Sequence, residues 1–208
     1  MDPNRNRVCP VELAGALESK LRIWLHNPQR LLAPYVKEGM HVLDVGCGPG
    51  VFSLAMARMV GGTGRVIAAD LQEGMLERLR GKAKESSLAS RIQFVKCDTN
   101  AVNVSETVDF ILAFYMVHEI PDKRSFFRQL KAILTRNGHF LLVEPRFFHV
   151  SKAAFVETTK IAEDIGFNVR PGPMVWFSWS AVLTPCEGQW KANNYMSEEQ
   201  NRAQREID

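Results

Sequence analysis

The chain has few cysteines, no long apolar run and no block of like charge, and each shortage removes a class of protein. Its four cysteines (Cys9, Cys47, Cys97 and Cys186) lie far apart, without a CxxC pair or a zinc-type spacing. A disulfide framework and a structural zinc site are therefore not expected, and no metal ligand set is assigned. No apolar stretch approaches the ~20 residues of a membrane-spanning helix. The first ten residues are polar and read as a loose arm rather than as a secretory leader. The formal charge is only +3 over 208 residues, and no basic run with interleaved aromatics is present, so a nucleic-acid partner is not expected. These properties predict a cytoplasmic protein with reduced thiols, and leave open whether it is a monomer or homodimer. A hydrophobic content of 46% is enough for one substantial core.

Residues 11–33 have helical spacing, broken at Asn27-Pro28, where one helix should stop and another can start. Strands and helices then alternate. Strand-like runs are His41–Val45, Arg65–Ala69, Ile92–Val95, Val108–Ala113 and His139–Val143. Helical patterns are Val51–Met59, Glu73–Lys84 and Lys123–Leu134, the last ended by Asn137-Gly138 as a left-handed cap. Between Lys96 and Thr107 the pattern is weak, and a brief helix is the most it suggests. Such alternation predicts a parallel sheet covered by helices on both faces. After a helix at Ser151–Ile165 and a strand at Phe167–Arg170, Pro171-Gly172-Pro173 leaves no room for a crossover. The run Val175–Leu183 must therefore return antiparallel, giving a C-terminal β-hairpin. Within it, Trp176-Phe177-Ser178-Trp179-Ser180 alternates aromatic and polar, as a strand with one core face would. The expected division is an N-terminal helical lid (1–35), the main domain (36–186) and a polar tail (187–208).

The most informative stretch is Val42-Leu43-Asp44-Val45-Gly46-Cys47-Gly48-Pro49-Gly50, a buried strand that breaks into a glycine turn ahead of a helix. In an α/β sheet this is where a nucleotide-like ligand binds. A dinucleotide site fits Gly46 and Gly48, but Val51 stands where the third small residue belongs, and Asp44 would repel a pyrophosphate. A partly cationic ligand without phosphates, S-adenosylmethionine, suits the loop better. Gly46 and Gly48 admit close backbone approach, and the helix after Gly50 can favour a carboxylate. Asp44 can orient loop amides or meet an ammonium group. Asp70 closes the second strand about 20 residues on, a position suited to ribose hydroxyls, although it can equally cap the next helix. Asp98 follows the third strand and can accept from an adenine amino group or simply shape a turn.

On these residues the chain resembles the class I S-adenosylmethionine-dependent methyltransferases. Leu43 to Gly50, then Asp70, Asp98 and the terminal hairpin carry the resemblance over roughly residues 36–183. It implies a Rossmann-like, doubly wound α/β fold: a seven-stranded sheet, mostly parallel, with its last strand antiparallel. It also implies cofactor contacts from Asp44, Gly46, Cys47, Gly48, Gly50, Asp70, Leu71, Met75, Asp98, Thr99, Ala113 and Phe114. The stretch Phe114-Tyr115-Met116-Val117-His118-Glu119-Ile120-Pro121-Asp122 is similar to the histidine-containing segment of a small-molecule branch that includes quinone-biosynthesis C-methyltransferases and arsenite methyltransferases. No Asn/Asp-Pro-Pro-aromatic tetrapeptide follows the fourth strand, so the resemblance to amino-directed nucleic-acid and protein enzymes is absent.

Methyl transfer is an in-line displacement, so the protein's work is to position and desolvate the acceptor. A base is needed only for an acceptor that is protonated near neutrality. His118 is the candidate base, with Glu119 beside it, and its alternative role is to cap or pack beneath the loop. Tyr115, Glu144 and Arg146 end the fourth and fifth strands and are expected at the acceptor, with Glu119 and Glu144 pairing to Arg146 or to a cationic substrate. Arg22, Trp24 and His26, on the N-terminal extension, are expected to line the same pocket, with packing against the sheet edge as the alternative for Trp24. The functional alternatives are an S-adenosylmethionine-binding partner or regulatory subunit without catalysis, and a metalloid methyltransferase using converging cysteines.

Overall fold

The computed structural model describes residues 27–146 and 150–186. The strands are β1 (His41–Val45), β2 (Arg65–Asp70), β3 (Ile92–Lys96), β4 (Val108–Phe114), β5 (Leu134–Pro145), β6 (Phe167–Pro171) and β7 (Ser178–Pro185). They form one seven-stranded sheet in the order β3-β2-β1-β4-β5-β7-β6. β1 to β5 pair in parallel, and β7 runs antiparallel to both β5 and β6. The helices are α1 (Pro28–Leu32), α2 (Val51–Met59), α3 (Glu73–Glu85), α4 (Lys123–Ile133) and α5 (Lys152–Ile165). This is the doubly wound arrangement expected from the alternation, with the antiparallel hairpin at its end.

Central strands of such a sheet are buried on both faces and need apolar residues at nearly every position. β1 and β4 meet that need: Val42, Leu43 and Phe110 to Ala113 are wholly buried. Two cores result. One joins Leu43, Ile67 and Ile111 to Phe126, Phe127 and Leu130 of α4 and Phe155 and Ala162 of α5. The other joins Val42, Val66 and Phe110 to α1, α2 and α3 through Leu32, Met56, Leu76 and Leu79. The first is tied together by rings: Phe127, Phe140 and Phe167 meet pairwise with centroids 6.0–6.3 Å apart. Asn27, Asp122 and Ser151 cap α1, α4 and α5 by accepting from the backbone N–H three residues on.

Four expectations are corrected. The segment 97–107 holds no helix: Asp98 and Ala101 form an isolated bridge instead. The α4 helix ends at Ile133, and Leu134 is already extended. Asn137-Gly138 is therefore not its cap. The pair lies where the β4–β5 register jumps from Val108↔Leu134 to Phe110↔His139, a bulge that absorbs the extra residues. The last strand starts at Ser178, three residues later than its apolar pattern, so Trp176 and Phe177 precede it in the loop. Asp70 does not cap α3, whose N-cap is Gln72. The expected lid helix before Pro28 and the tail at 187–208 lie outside the described residues.

Phe127 links α4 to two strands with no exposed surface. Phe127→Ala should cost about 3–5 kcal/mol in urea unfolding. A loss below about 1 kcal/mol would show that this core repacks freely.

Candidate functional site

The sheet order reverses between β1 and β4, and the crevice at their carboxyl ends is where an open α/β sheet binds ligand. Register levels the strand ends there: Val45 pairs with Ala69 on one side and Ala113 on the other. The glycine loop crosses this edge. The N–H groups of Gly46 and Cys47 both donate to Ala69 O, at 2.8 and 3.1 Å. Gly46, Gly48 and Gly50 all have positive φ, at 69°, 52° and 89°. Their surroundings differ. A β-carbon on Gly46 would lie 2.7 Å from Met116 Cγ, and one on Gly50 2.0 Å from Leu79 Cδ1, whereas nothing stands within 4 Å of one on Gly48. Gly46 and Gly50 thus seat the loop on β4's turn and on α3, and Gly48 faces open space.

Asp70 fastens the loop's tip. Its Oδ2 accepts from Gly48 N and its Oδ1 from Gln72 N, both at 2.8 Å. A carboxylate has about four lone-pair sites, so capacity for a hydroxyl donor remains. Burial raises this carboxyl above its usual range against the backbone N–H groups of Gln72, Gly48 and Leu71. Asp44 is only 2% exposed, and Ser53 Oγ, in the first turn of α2, donates to its Oδ2 at 2.5 Å. Burial, opposed by Ser53 and reinforced by the nearby Asp70, lifts Asp44 to about 7. No described cation pairs with it. A buried acid in this state suits a ligand that brings its own positive charge.

The other expected cofactor residues divide. Ala113 and Phe114 close β4 at the crevice, with the Phe114 ring between Phe52 and Tyr115 at 4.4 and 4.3 Å. Leu71 is exposed beside Asp70, whereas Met75 is buried. Asp98 and Thr99 are exposed in the turn after β3, where Asp98 Oδ2 accepts from Asn103 Nδ2 at 3.0 Å. Cys47 and Cys97 are buried, which raises both thiols, Cys97 to about 12. Cys186 follows β7 at the opposite edge of the sheet, its N–H on Gly166 O. The described cysteines therefore do not converge, and Cys9 lies outside the described residues. Among the described residues no His/Cys/Asp/Glu group is arranged for a metal, and no helix is long and apolar enough to cross a membrane.

On the acceptor side, Tyr115 leaves β4 with φ 63°, and Val117–Glu119 make a 3-10 turn. Glu144, 1% exposed near the end of β5, organises that turn. Its Oε1 accepts from Val117 N at 2.8 Å, and its Oε2 lies 2.5 Å from His118 Nδ1. Burial opposes protonation of His118, but the bond to Glu144, its charge and that of Glu119 outweigh it, and the imidazole is raised above its usual 6.5. Glu119 Oε1 is 4.0 Å from His118 Nε2. The expected pairing of these acids with Arg146 is not formed: both face His118, and the Arg146 guanidinium lies over the Trp179 ring, 4.0 Å from its centroid. Nor does His118 cap α4, since Asp122 does. Arg22, Trp24 and His26 lie outside the described residues.

Three contributors escape the sequence reading. Ser53 was legible as the lone hydroxyl on the buried stripe of an apolar helix. Met116, which sits against Gly46, carries no such signal. Ser178, whose Oγ lies 2.5 Å from Tyr115 Oη, does not either.

A glycine turn after β1, paired acids at the ends of β1 and β2, and a reversed strand order define a Rossmann-like domain for a nucleoside-bearing ligand. The pattern of the family described as "methyltransferase domain" matches residues 36–201, and the chain belongs to that family. It is 29% identical over 143 residues to the ubiquinone/menaquinone biosynthesis C-methyltransferase UbiE of Enterobacter sp. (strain 638), covering 67% of this chain and 55% of that protein. The protein of that name from Haemophilus ducreyi is 28% identical over 65% of this chain and 51% of its own. The chain spans about half the length of the curated relatives it matches. Among solved structures, a SAM-dependent methyltransferase from Aquifex aeolicus superposes with a TM-score of 0.76 at 25% identity, covering 85% of this chain and 98% of that one.

Asp44 generates a pH signature. An acid lifted from 3.8 to about 7 by folding contributes stability that is fully present below its unfolded value and lost as pH rises through about 7. Melting of the ligand-free protein should show wild type losing stability relative to Asp44→Asn between about pH 4 and 7. A difference that stays constant with pH would show that Asp44 is not held protonated.

Proposed function

We propose that this protein is an S-adenosylmethionine-dependent methyltransferase acting on a small-molecule acceptor that carries an ionisable proton. The observation that carries the reading is the pairing of a cofactor-type crevice with a histidine–carboxylate dyad at the neighbouring strand ends. S-adenosylmethionine, when bound, supplies a methyl group already activated by its sulfonium. Gly48 lets backbone approach it, Asp70 offers its remaining lone-pair capacity to ribose hydroxyls, and Asp44 answers its positive charge. The acceptor's place is beyond the ends of β4 and β5.

There Glu144 accepts from His118 Nδ1–H and fixes the tautomer in which Nε2 is the basic nitrogen that takes the acceptor's proton. The acceptor would gain the methyl group as the sulfonium S–C bond breaks and S-adenosylhomocysteine leaves, and the acceptor's proton would end on His118 Nε2, where Glu119 stands 4.0 Å away to stabilise the cation. This assigns His118 as base and Glu144 as the group that orients it. Noncatalytic binding is the second reading, since Asp44, Gly46, Gly48 and Asp70 would serve it equally.

A screen of quinols, phenols, thiols, amines and arsenite, read by release of S-adenosylhomocysteine, should find turnover on a protonated oxygen or sulfur acceptor. Binding of the cofactor without turnover on any of them would favour the noncatalytic reading.

The pH profile tests the dyad. Because Glu144 raises His118, kcat/KM should climb with pH through a value above 6.5. Glu144→Gln should move that limb to lower pH, since burial then acts on His118 with less opposition, and should also lower kcat. His118→Ala should reduce kcat by about 10²–10⁴-fold. An unchanged rate would remove His118 from the chemistry.

A further inference from the structure

The connection between β6 and β7 carries the most exposed apolar group among the described residues. Met174, Trp176 and Phe177 are 96%, 63% and 59% exposed within four positions, and the two rings stand 6.0 Å apart at 59°. Exposed aromatics in a loop cost solubility, and here the loop is held in place. Ser180 Oγ donates to Pro173 O at 2.5 Å, and Arg146 N donates to Phe177 O at 2.8 Å. Ser178 Oγ donates to Trp176 O at 2.9 Å. That bond uses the only hydroxyl proton of Ser178, so in its 2.5 Å contact with Tyr115 the phenol is the donor. A relay from Tyr115 through Ser178 to the Trp176 carbonyl thus ties the loop to the end of β4. Tyr115 and Phe177, on either side of Ser178, both have left-handed backbone, with φ 63° and 56°. Strain of this kind in non-glycine residues is kept where a fixed geometry serves a ligand.

The loop lies at the carboxyl edge of the sheet, because β7 opens with Ser178 opposite Pro145 and Trp179 opposite Glu144. Arg146 stands at this edge beside the loop. Its guanidinium rests on Trp179, whose ring is fixed by stacking on Phe155 and by its Nε1 bond to Val150 O. No carboxylate of the described residues pairs with Arg146, and its side chain is exposed. A guanidinium laid over a fixed ring keeps its donor edge available for a bidentate anion. One such cation matches the single charge of a carboxylate.

We propose that the acceptor is an aromatic carboxylic acid bearing a hydroxyl, its ring taken by Trp176 and Phe177, its carboxylate by Arg146 and its hydroxyl left as the group that gives up a proton. The inference rests on the methyltransferase reading and adds the chemical class of the acceptor. Tyr115 and Ser178 are then positioning residues, since they hold the rim without touching the ring. The aromatic pair supplies stacking and edge contacts, and Met174 adds an adaptable apolar flank.

The test is calorimetry on the protein saturated with S-adenosylhomocysteine, after that saturation has itself been measured. The probes are 3-hydroxy-2-naphthoate and its neutral counterpart 2-naphthol. The acid should bind at least about tenfold more tightly than the naphthol, the difference expected of a charge-assisted bond. Arg146→Ala should erase the difference. Trp176→Ala, at an exposed position, should leave the fold and the S-adenosylhomocysteine affinity unchanged and weaken both probes. Tyr115→Phe, which removes the relay's donor, should weaken both probes with little effect on S-adenosylhomocysteine. Equal binding of acid and naphthol, no saturable heat from the acid, or an Arg146→Ala protein that still discriminates would each overturn the proposal. Tighter binding of naphthyl phosphate than of the acid would overturn the carboxylate assignment. Trp176-dependent binding to phosphatidylglycerol vesicles without any response to the acid would make the rim a membrane contact instead. Loss of S-adenosylhomocysteine binding itself would strike the cofactor reading, not this one.

Discussion

The contact between Gly46 and Met116 is the constraint on which the rest of the site depends. A β-carbon at residue 46 would lie 2.7 Å from Met116 Cγ, so the loop after β1 can rest on the turn after β4 only because residue 46 has no side chain. That seating brings the two halves of the crevice into contact. On one side the loop runs to Gly48 and is fastened by Asp70. On the other the same turn continues from Met116 into Val117 and His118, both held by Glu144. Cofactor loop and candidate base are therefore mechanically adjacent, joined through one glycine and one methionine.

Three carboxylates buried in so small a region would be a liability in a protein built only for stability. Each is treated differently. Asp70 is satisfied by two backbone N–H groups and Glu144 by a backbone N–H and an imidazole. Asp44 has Ser53 and no described cation to offset its burial, which lifts it to about 7. The unequal treatment points to unequal roles. Asp70 and Glu144 are each held by defined donors, whereas Asp44 has no charge partner among the described residues.

Most of the scaffold was legible in the sequence, and the reasons are local. The β1 run and the Val51–Met59 helix begin and end where their hydrophobic periods change, at the glycine turn and at Val60. The hairpin followed from a length argument, since Pro171-Gly172-Pro173 cannot span a crossover. The misreadings came where two signals competed. Asn137-Gly138 has the composition of a helix cap, yet the preceding Leu134 was drawn into the sheet by pairing with Val108, leaving the pair in a bulge. Trp176 and Phe177 continue an alternating pattern, yet they stand outside the strand, because the ladder with β5 ends at Pro145. In the candidate site the glycine loop's conformation was legible, because residue types and spacing dictate it. The arrangement at the ends of β4 and β5 was not, because its partners (Glu144 with His118, Ser178 with Tyr115, Trp179 with Arg146) are brought together across 26 to 63 residues of chain by strand register, as the His118–Glu144 and Tyr115–Ser178 contacts show.

The central claim is that the crevice between the ends of β1, β2 and β4 binds S-adenosylmethionine and not a dinucleotide. Calorimetric titration with S-adenosylhomocysteine and, separately, with NAD addresses it without knowledge of the acceptor. Micromolar binding of S-adenosylhomocysteine that Asp70→Ala weakens by at least about tenfold, with no heat from NAD, is the predicted result. Binding of NAD with none of S-adenosylhomocysteine would contradict it.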